Sequence, residues 1–297
     1  MNQDKTDTIN VYLPSEIAIL KTVVMCYANR GSIRAFLKFG RLDAALFYQA
    51  RYNKFGRLNL EKAHQQQKAF IELLKANGVD VLFAAQVPDC IAQQYTRDIG
   101  FAIEDTFFLA NPRRYSRQRE QEGLHDLLPR FSKVAHLESG TIEGGDVIVD
   151  EKYVIVGLGE ETSKEGVACL RRKLGELGIN REIVVIEFSH RGTIHLDTKF
   201  NIPAKGIGVI HPNSFKPESL KWFENHFDLI EATEKERLNL EINTFTISPQ
   251  KVVMLNVSER LAARLASKGI EPILIDYSEL TKHCGSFRCT TLPIERI

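Results

Sequence analysis

Cysteine is scarce in this chain of 297 residues, and the five present, at positions 26, 90, 169, 284 and 289, are odd in number and scattered. That excludes a disulfide framework as the organising device and suits a reducing compartment. Net charge is almost absent: 39 Lys+Arg face 38 Asp+Glu, a formal charge of +1. General electrostatic attraction to nucleic acid or to an anionic membrane is therefore not expected. No apolar run approaches the ~20 residues of a membrane span, and the polar start at residues 1–7 has no apolar signal region. A cytoplasmic protein with neither nucleic-acid nor membrane partners is the expectation. Low-complexity linkers and breaks in composition are also missing, so residues 1–297 are expected to form a single domain. The Gly-x-Gly-x-x-Gly loop of a nucleotide-binding doubly wound sheet is not found either.

What is present is a weak repeat, an amphipathic helix ending at a glycine and followed by a short apolar strand. It occurs as residues 69–78 then 79–83, as 169–178 then 183–186, and as 261–269 then 272–275. Gly78, Gly178 and Gly269 suit the left-handed residue just past a helix end. Further short apolar runs predict strands at 21–25, 99–103, 147–149, 153–156, 206–210 and 251–255. Asn59 and Ser258 are expected N-caps. Short strands interleaved with single helices predict an α/β chain.

Four segments carry residues with chemistry. Cys289 lies on a Gly/Ser-containing stretch beside Arg288 and hydroxyl residues, surroundings that lower a thiol pKa. His195-Leu196-Asp197 follows the small residues Gly192 and Thr193 and, if extended, turns an imidazole and a carboxylate to one face. Such a pair suits a base with a charged neighbour or two metal ligands, and equally a strand-end histidine with a solvated aspartate. In Glu143-Gly144-Gly145-Asp146 the glycines permit close approach of a ligand or a second segment, although a plain turn entering a strand reads the same way. Arg97-Asp98 precedes another strand and by itself is an ordinary ion pair. Acidic residues do not recur at calcium-loop spacing, and a zinc site from His283, Cys284 and Cys289 lacks a second ligand pair.

Taken in this order, Thr96-Arg97-Asp98, Glu143-Gly144-Gly145-Asp146, His195-Leu196-Asp197 and a late Cys289 resemble the guanidino-group modifying enzymes. These are the arginine deiminases, dimethylarginine dimethylaminohydrolases and amidinotransferases, and the likeness runs from about Lys21 onward. The resemblance implies a five-bladed α/β propeller, the pentein fold, of ββαβ modules with pseudo-fivefold symmetry. It implies Cys289 as nucleophile, His195 as acid and base, and Glu143 as the group holding that histidine. Asp98 and Asp197 would grip the substrate guanidinium, with Asp146, Arg97 and Arg117 completing the substrate-binding set. No metal and no cofactor is implied. A guanidinium is protonated at neutral pH and needs anions around it, while its resonance-stabilised carbon needs a strong nucleophile such as a thiolate.

The expected activity is cysteine-dependent hydrolysis of a guanidino compound through a covalent thiouronium on Cys289, giving a ureido product and an amine or ammonia. An amidinotransferase is the alternative enzyme, and a non-catalytic guanidino-binding protein the alternative from another class. The partner is a small guanidino molecule, and a homo-oligomer is compatible with the composition. Two departures bear on substrate. Dimethylarginine-type hydrolases commonly carry lysine where this chain has Asp197. A Ser-Glu-Arg-Thr-like turn, whose arginine takes the substrate α-carboxylate, here reads Gly159-Glu160-Glu161-Thr162, with Glu161 in the arginine's place. Glu161 is expected to repel a carboxylate; either Arg114 or Arg117 replaces the missing cation, or the substrate lacks an α-carboxylate or carries an amine near Glu161, and the basic loop equally reads as solvated surface.

Overall fold

The computed structural model describes residues 8–29, 58–88, 90, 92–190 and 195–297, so the polar start and the Gly192-Thr193 pair lie outside it. Its elements run in chain order as β1 (Leu20–Met25), α1 (Leu60–Ala76) and β2 (Asp80–Phe83), then β3 (Gly100–Ile103), β4 (Thr106–Leu109), α2 (Tyr115–Glu120) and β5 (Val134–His136). There follow β6 (Val147–Val149), β7 (Tyr153–Leu158), α3 (Lys164–Glu176) and β8 (Glu182–Glu187). Next come β9 (Phe200–Ala204), β10 (Ile207–Ile210), α4 (Pro217–His226), β11 (Asp228–Glu231) and α5 (Glu234–Leu238). The chain finishes with β12 (Phe245–Ser248), β13 (Lys251–Leu255), α6 (Glu259–Ala266), β14 (Glu271–Ile275) and β15 (Leu292–Arg296).

Among the described residues these strands form five three-stranded sheets of one design, with orders β15-β1-β2, β3-β4-β5, β6-β7-β8, β9-β10-β11 and β12-β13-β14. We call them modules one to five in that sequence. In each, the first two strands are antiparallel and the third joins the middle one in parallel. Only module one borrows a strand from far away: β15 pairs with β1 through Val23↔Pro293 and Val24↔Leu292.

The middle strands are apolar at nearly every position because each sheet is covered on both faces by its neighbours. Alternate residues of β7 show this. Val154 and Val156 enter the cluster shared with module two, and Ile155 the cluster shared with module four. Likewise Val252 and Met254 of β13 pack with module four, whereas Val253 and Leu255 pack with module one. The core is thus a ring of clusters between consecutive modules, with those on the two sides of module two merged into one. Pro203, Pro272 and Pro293 all fall on outermost strands, where a missing ladder donor is tolerated.

The three helices predicted from the sequence form as expected, with earlier starts, whereas α2, α4 and α5 were not predicted. Asn59 caps α1, its Oδ1 accepting from Lys62 N at 3.1 Å, and Gly78, Gly178 and Gly269 all take positive φ. Ser258 takes its cap position without a side-chain bond to the helix.

Candidate active site

The first strand of every module is entered from a short turn, and these five turns meet. Thr96–Ile99 leads into β3, Gly144–Asp146 into β6 and Leu196–Thr198 into β9, all as 3-10 turns. Residues before β12 supply Asn243, and those before β15 supply Cys289. A closed circuit of contacts joins them. Arg97 N donates to Cys289 O at 3.1 Å, and Cys289 N to Asn243 Oδ1 at 3.2 Å. Asn243 Nδ2 donates to Asp197 O at 3.1 Å, and Leu196 N to Asp146 Oδ1 at 2.9 Å. Gly144 closes the circuit by lying against the Arg97 carbonyl, where an added Cβ would collide. Gly145 does the same for the site itself, since a Cβ there would stand 2.6 Å from both Asp98 Oδ1 and His195 Cγ. The sequence reading of two glycines that admit a second segment is met by Asp98 and His195.

His195 does not continue as an extended segment to Asp197. It is extended itself (φ −137°, ψ 154°), but Leu196–Thr198 tightens into a 3-10 turn. The two side chains consequently take different neighbours. His195 Nε2 lies 3.1 Å from Glu143 Oε2, and Nδ1 lies 3.5 Å from Asp98 Oδ1. Burial opposes charge on the imidazole, yet Asp98 and the Glu143 bond raise its pKa well above the ordinary value. Burial would also raise Glu143, but the bond from His195 and its charge hold that carboxyl below the usual range. At Asp98 burial prevails over His195 and Arg117, and the pKa is raised. The two carboxyl groups flanking the ring thus favour its protonated form.

Cys289 Sγ lies 3.7 Å from Asp197 Oδ2 and 4.0 Å from Oδ1. Arg288 was expected to favour the ionised thiol, and its charge does act in that direction. It is outweighed, because burial first and then the Asp197 and Asp98 charges raise the thiol pKa well above its ordinary 9.0. The Arg288 side chain turns to other partners: Nη1 donates to Asp197 Oδ2 at 2.9 Å, and Nη2 to Glu16 Oε1 and Val147 O, both at 2.8 Å. In this resting arrangement Cys289 is a neutral thiol.

With that geometry in place, comparison with known proteins is decisive. The pattern of the family described as N,N dimethylarginine dimethylhydrolase, eukaryotic, matches residues 41–296. The chain belongs to this family. The uncharacterized protein YkgA of Bacillus subtilis is 30% identical to it over 240 residues, covering 80% of this chain and 82% of YkgA. The N(G),N(G)-dimethylarginine dimethylaminohydrolase of Streptomyces coelicolor is 24% identical over 238 residues, 79% of this chain and 87% of that protein. The fold is that of SxtG, an amidinotransferase from Microseira wollei, with a TM-score of 0.76 at 18% identity over 97% of each chain. Both the guanidino-modifying superfamily and the five-module propeller are thus borne out.

Within this dimethylarginine dimethylaminohydrolase-family chain, two residues expected among the substrate contacts are engaged elsewhere. Arg97 sits in a buried ion cluster, its Nη1 3.4 Å from Glu16 Oε1 and its Nε donating to Arg288 O at 3.3 Å. Both oxygens of Asp146 are occupied, by Leu196 N and by Thr162 Oγ1 at 2.6 Å, which makes it a brace between the turns of modules three and four. Burial pushes its carboxyl up to about 8. Arg117, by contrast, reaches the site from α2: its Nη2 donates to Asp98 Oδ2 at 3.0 Å and its Nε lies 2.8 Å from Glu120 Oε2. Asp98, Glu143 and His195 also bring one ligand-capable atom each within 4.8 Å of one another, a spacing a cation would accept. A protonated His195 supplies positive charge there. Among the described residues no such grouping includes His283, Cys284 and Cys289.

Sequence reasoning missed Asn243. It lies in no motif, and its only signal is its place ahead of the fourth of five equivalent strands. Because one amide holds both the Cys289 N–H and the Asp197 carbonyl, Asn243→Ala should let the thiol and Asp197 drift apart. Steady-state kinetics should show kcat falling roughly 10- to 100-fold with KM little changed, and stability falling by about 1–3 kcal/mol.

Proposed function

We propose that this chain is a cysteine-dependent hydrolase that acts on a C–N bond of a guanidino compound, with residues 1–297 as one catalytic domain. One observation carries the reading. Asp98 Oδ1 and Glu143 Oε1 are buried carboxylate oxygens that accept no hydrogen bond, and they flank the histidine of a site that also holds a thiol. Buried acceptors left unmet are costly, and a guanidinium brings up to five N–H donors and the positive charge that both groups need. Asp197, 3.7 Å from the sulfur, is placed to receive the same cation from the other side.

In the proposed reaction the entering cation stabilises the Cys289 thiolate and the thiol proton passes to solvent. Sulfur adds to the guanidinium carbon. His195, already protonated, gives its proton to the departing nitrogen as the C–N bond breaks, leaving a thiouronium on Cys289. The now neutral His195, oriented by Glu143, takes a proton from water. The hydroxide adds to the same carbon, and as the C–S bond breaks the added hydroxyl gives its proton to solvent, releasing the ureido product and regenerating the thiolate. An amidinotransferase would admit an amine in place of that water.

The direct test is a ureido-product assay with intact-protein mass spectrometry over a panel of arginine, N-methylarginines, agmatine and shorter guanidino acids. Product formation supports the hydrolase. An adduct that turns over only with an added amine would replace it by the transferase, and neither adduct nor product would favour a binding protein. The thiol gives a second expected result. Ultraviolet titration of the thiolate, as a difference against Cys289→Ser, should place its pKa above 9 in the free protein and shift it downward when a guanidino ligand binds.

A further inference from the structure

Beside the catalytic groups lies a carboxylate the reaction does not use. Glu161 is buried, 2% exposed, and only one of its oxygens is satisfied. Arg114 places both Nη2, at 2.5 Å, and Nε, at 3.1 Å, on Oε1, while Oε2 accepts no hydrogen bond. It adjoins the reaction centre through the chain itself, since the next residue, Thr162, accepts from Glu143 N at 3.3 Å and donates to Asp146 Oδ2 at 2.6 Å. The neighbouring cations are engaged. Arg114 is on Glu161 itself and Arg117 on Asp98, Glu120 and the Tyr95 carbonyl.

Arg114 and Arg117, the arginines expected to stand in for a carboxylate-binding one, are thus each already paired with a carboxylate. The position next to Glu161 offers a buried, unsatisfied acceptor. A carboxylate on the substrate would meet repulsion there and leave Oε2 unpaired, whereas an ammonium would supply a donor and a compensating charge.

We propose that Glu161 selects the far end of the substrate, taking an ammonium on its free oxygen, so that the preferred substrates are guanidino-alkylamines without an α-carboxylate. This rests on the hydrolase reading for the guanidinium end. The two are tested apart by measuring binding in a protein that cannot turn over. Cys289→Ser protein would be titrated calorimetrically with agmatine, with 4-guanidinobutanoate, which has a carboxylate where agmatine has its ammonium, and with arginine. A charge-assisted hydrogen bond predicts that agmatine binds at least about tenfold more tightly than 4-guanidinobutanoate.

Two variants in that background carry opposite signs. Glu161→Gln, of the same shape and still an acceptor for Arg114, should cut agmatine affinity roughly tenfold and leave 4-guanidinobutanoate unchanged or improved. Arg114→Gln removes the cation competing for Glu161 and should widen the preference for agmatine. Opposite shifts from neighbouring substitutions cannot come from general misfolding. Tighter binding of 4-guanidinobutanoate or arginine than of agmatine would overturn the proposal, as would equal losses for all ligands in Glu161→Gln. Failure of the hydrolase reading would show differently: wild-type protein that discriminates the ligands in this way and yields no ureido product.

Discussion

Replacing Cys289 by serine is expected to abolish turnover, by about 10⁴-fold or more, while thermal unfolding stays close to that of the unaltered protein. The side chain is small, and its polar contacts are the two long ones to Asp197 and one from the Ser286 backbone. The bonds that position residue 289 run through its backbone, from Cys289 N to Asn243 Oδ1 and from Arg97 N to Cys289 O. A hydroxyl keeps all of them but remains un-ionised at any working pH. Intact-mass measurement should find a substrate-derived adduct on the cysteine form and none on the serine form. Residual turnover within tenfold of normal would remove Cys289 from the nucleophile's role.

The second large effect concerns stability. Glu16→Gln should destabilise the protein by roughly 3–5 kcal/mol, the range for removing one partner of a buried ion network. Glu16 is buried among Arg97, Arg288 and Arg296, with Arg288 Nη2 at 2.8 Å and Arg97 Nη1 at 3.4 Å. Burial raises its pKa, but Arg288, Arg97 and Arg296 together lower it from an ordinary 4.5 to about 2. A depressed carboxyl stabilises the folded state above its unfolded pKa and loses that contribution as pH falls through the folded one. Denaturant melts of the two proteins should therefore differ most above pH 4.5 and converge as the pH drops towards 2. A constant difference across that range would show that packing, not charge, sets the effect.

Among the described residues, three of the six helices and four of the five middle strands were legible in the sequence; Tyr115–Glu120, Pro217–His226, Glu234–Leu238 and the middle strand Thr106–Leu109 were not. Those four strands were visible because both faces are buried, which makes Tyr153–Leu158 and Lys251–Leu255 read as continuous apolar runs. Strands at Phe200–Ala204 and Leu292–Arg296 were not predicted, because Pro203 and Pro293 read as breakers unless the strand is known to be outermost. Others, such as Val134–His136, are too short for any period to show. At the site, motif order found Asp98, Glu143, His195, Asp197 and Cys289, which the fold does bring together. It could not separate side chains placed to face the proposed guanidinium from those bracing the turns, since Arg97 and Asp146 stand in the same motifs as Asp98 and Glu143. That distinction is set by contacts between turns far apart in sequence, as is the part played by Asn243.

The borrowed strand of module one has a kinetic meaning. Beyond the β1–β15 ladder, β15 is held by Tyr12 N donating to Ile294 O at 3.0 Å and Arg296 N donating to Tyr12 O at 2.6 Å. Every one of these bonds spans almost the entire chain, and contacts of such separation form late because their loop-closure entropy must be met first. Cys289 lies three residues before this strand. A chain with four modules formed and the seam open would already show most of its secondary structure, yet its sulfur would have no fixed place among the carboxylates. Assembly of the reactive centre and locking of the ring are one event, so catalytic competence would count locked rings, not folded modules.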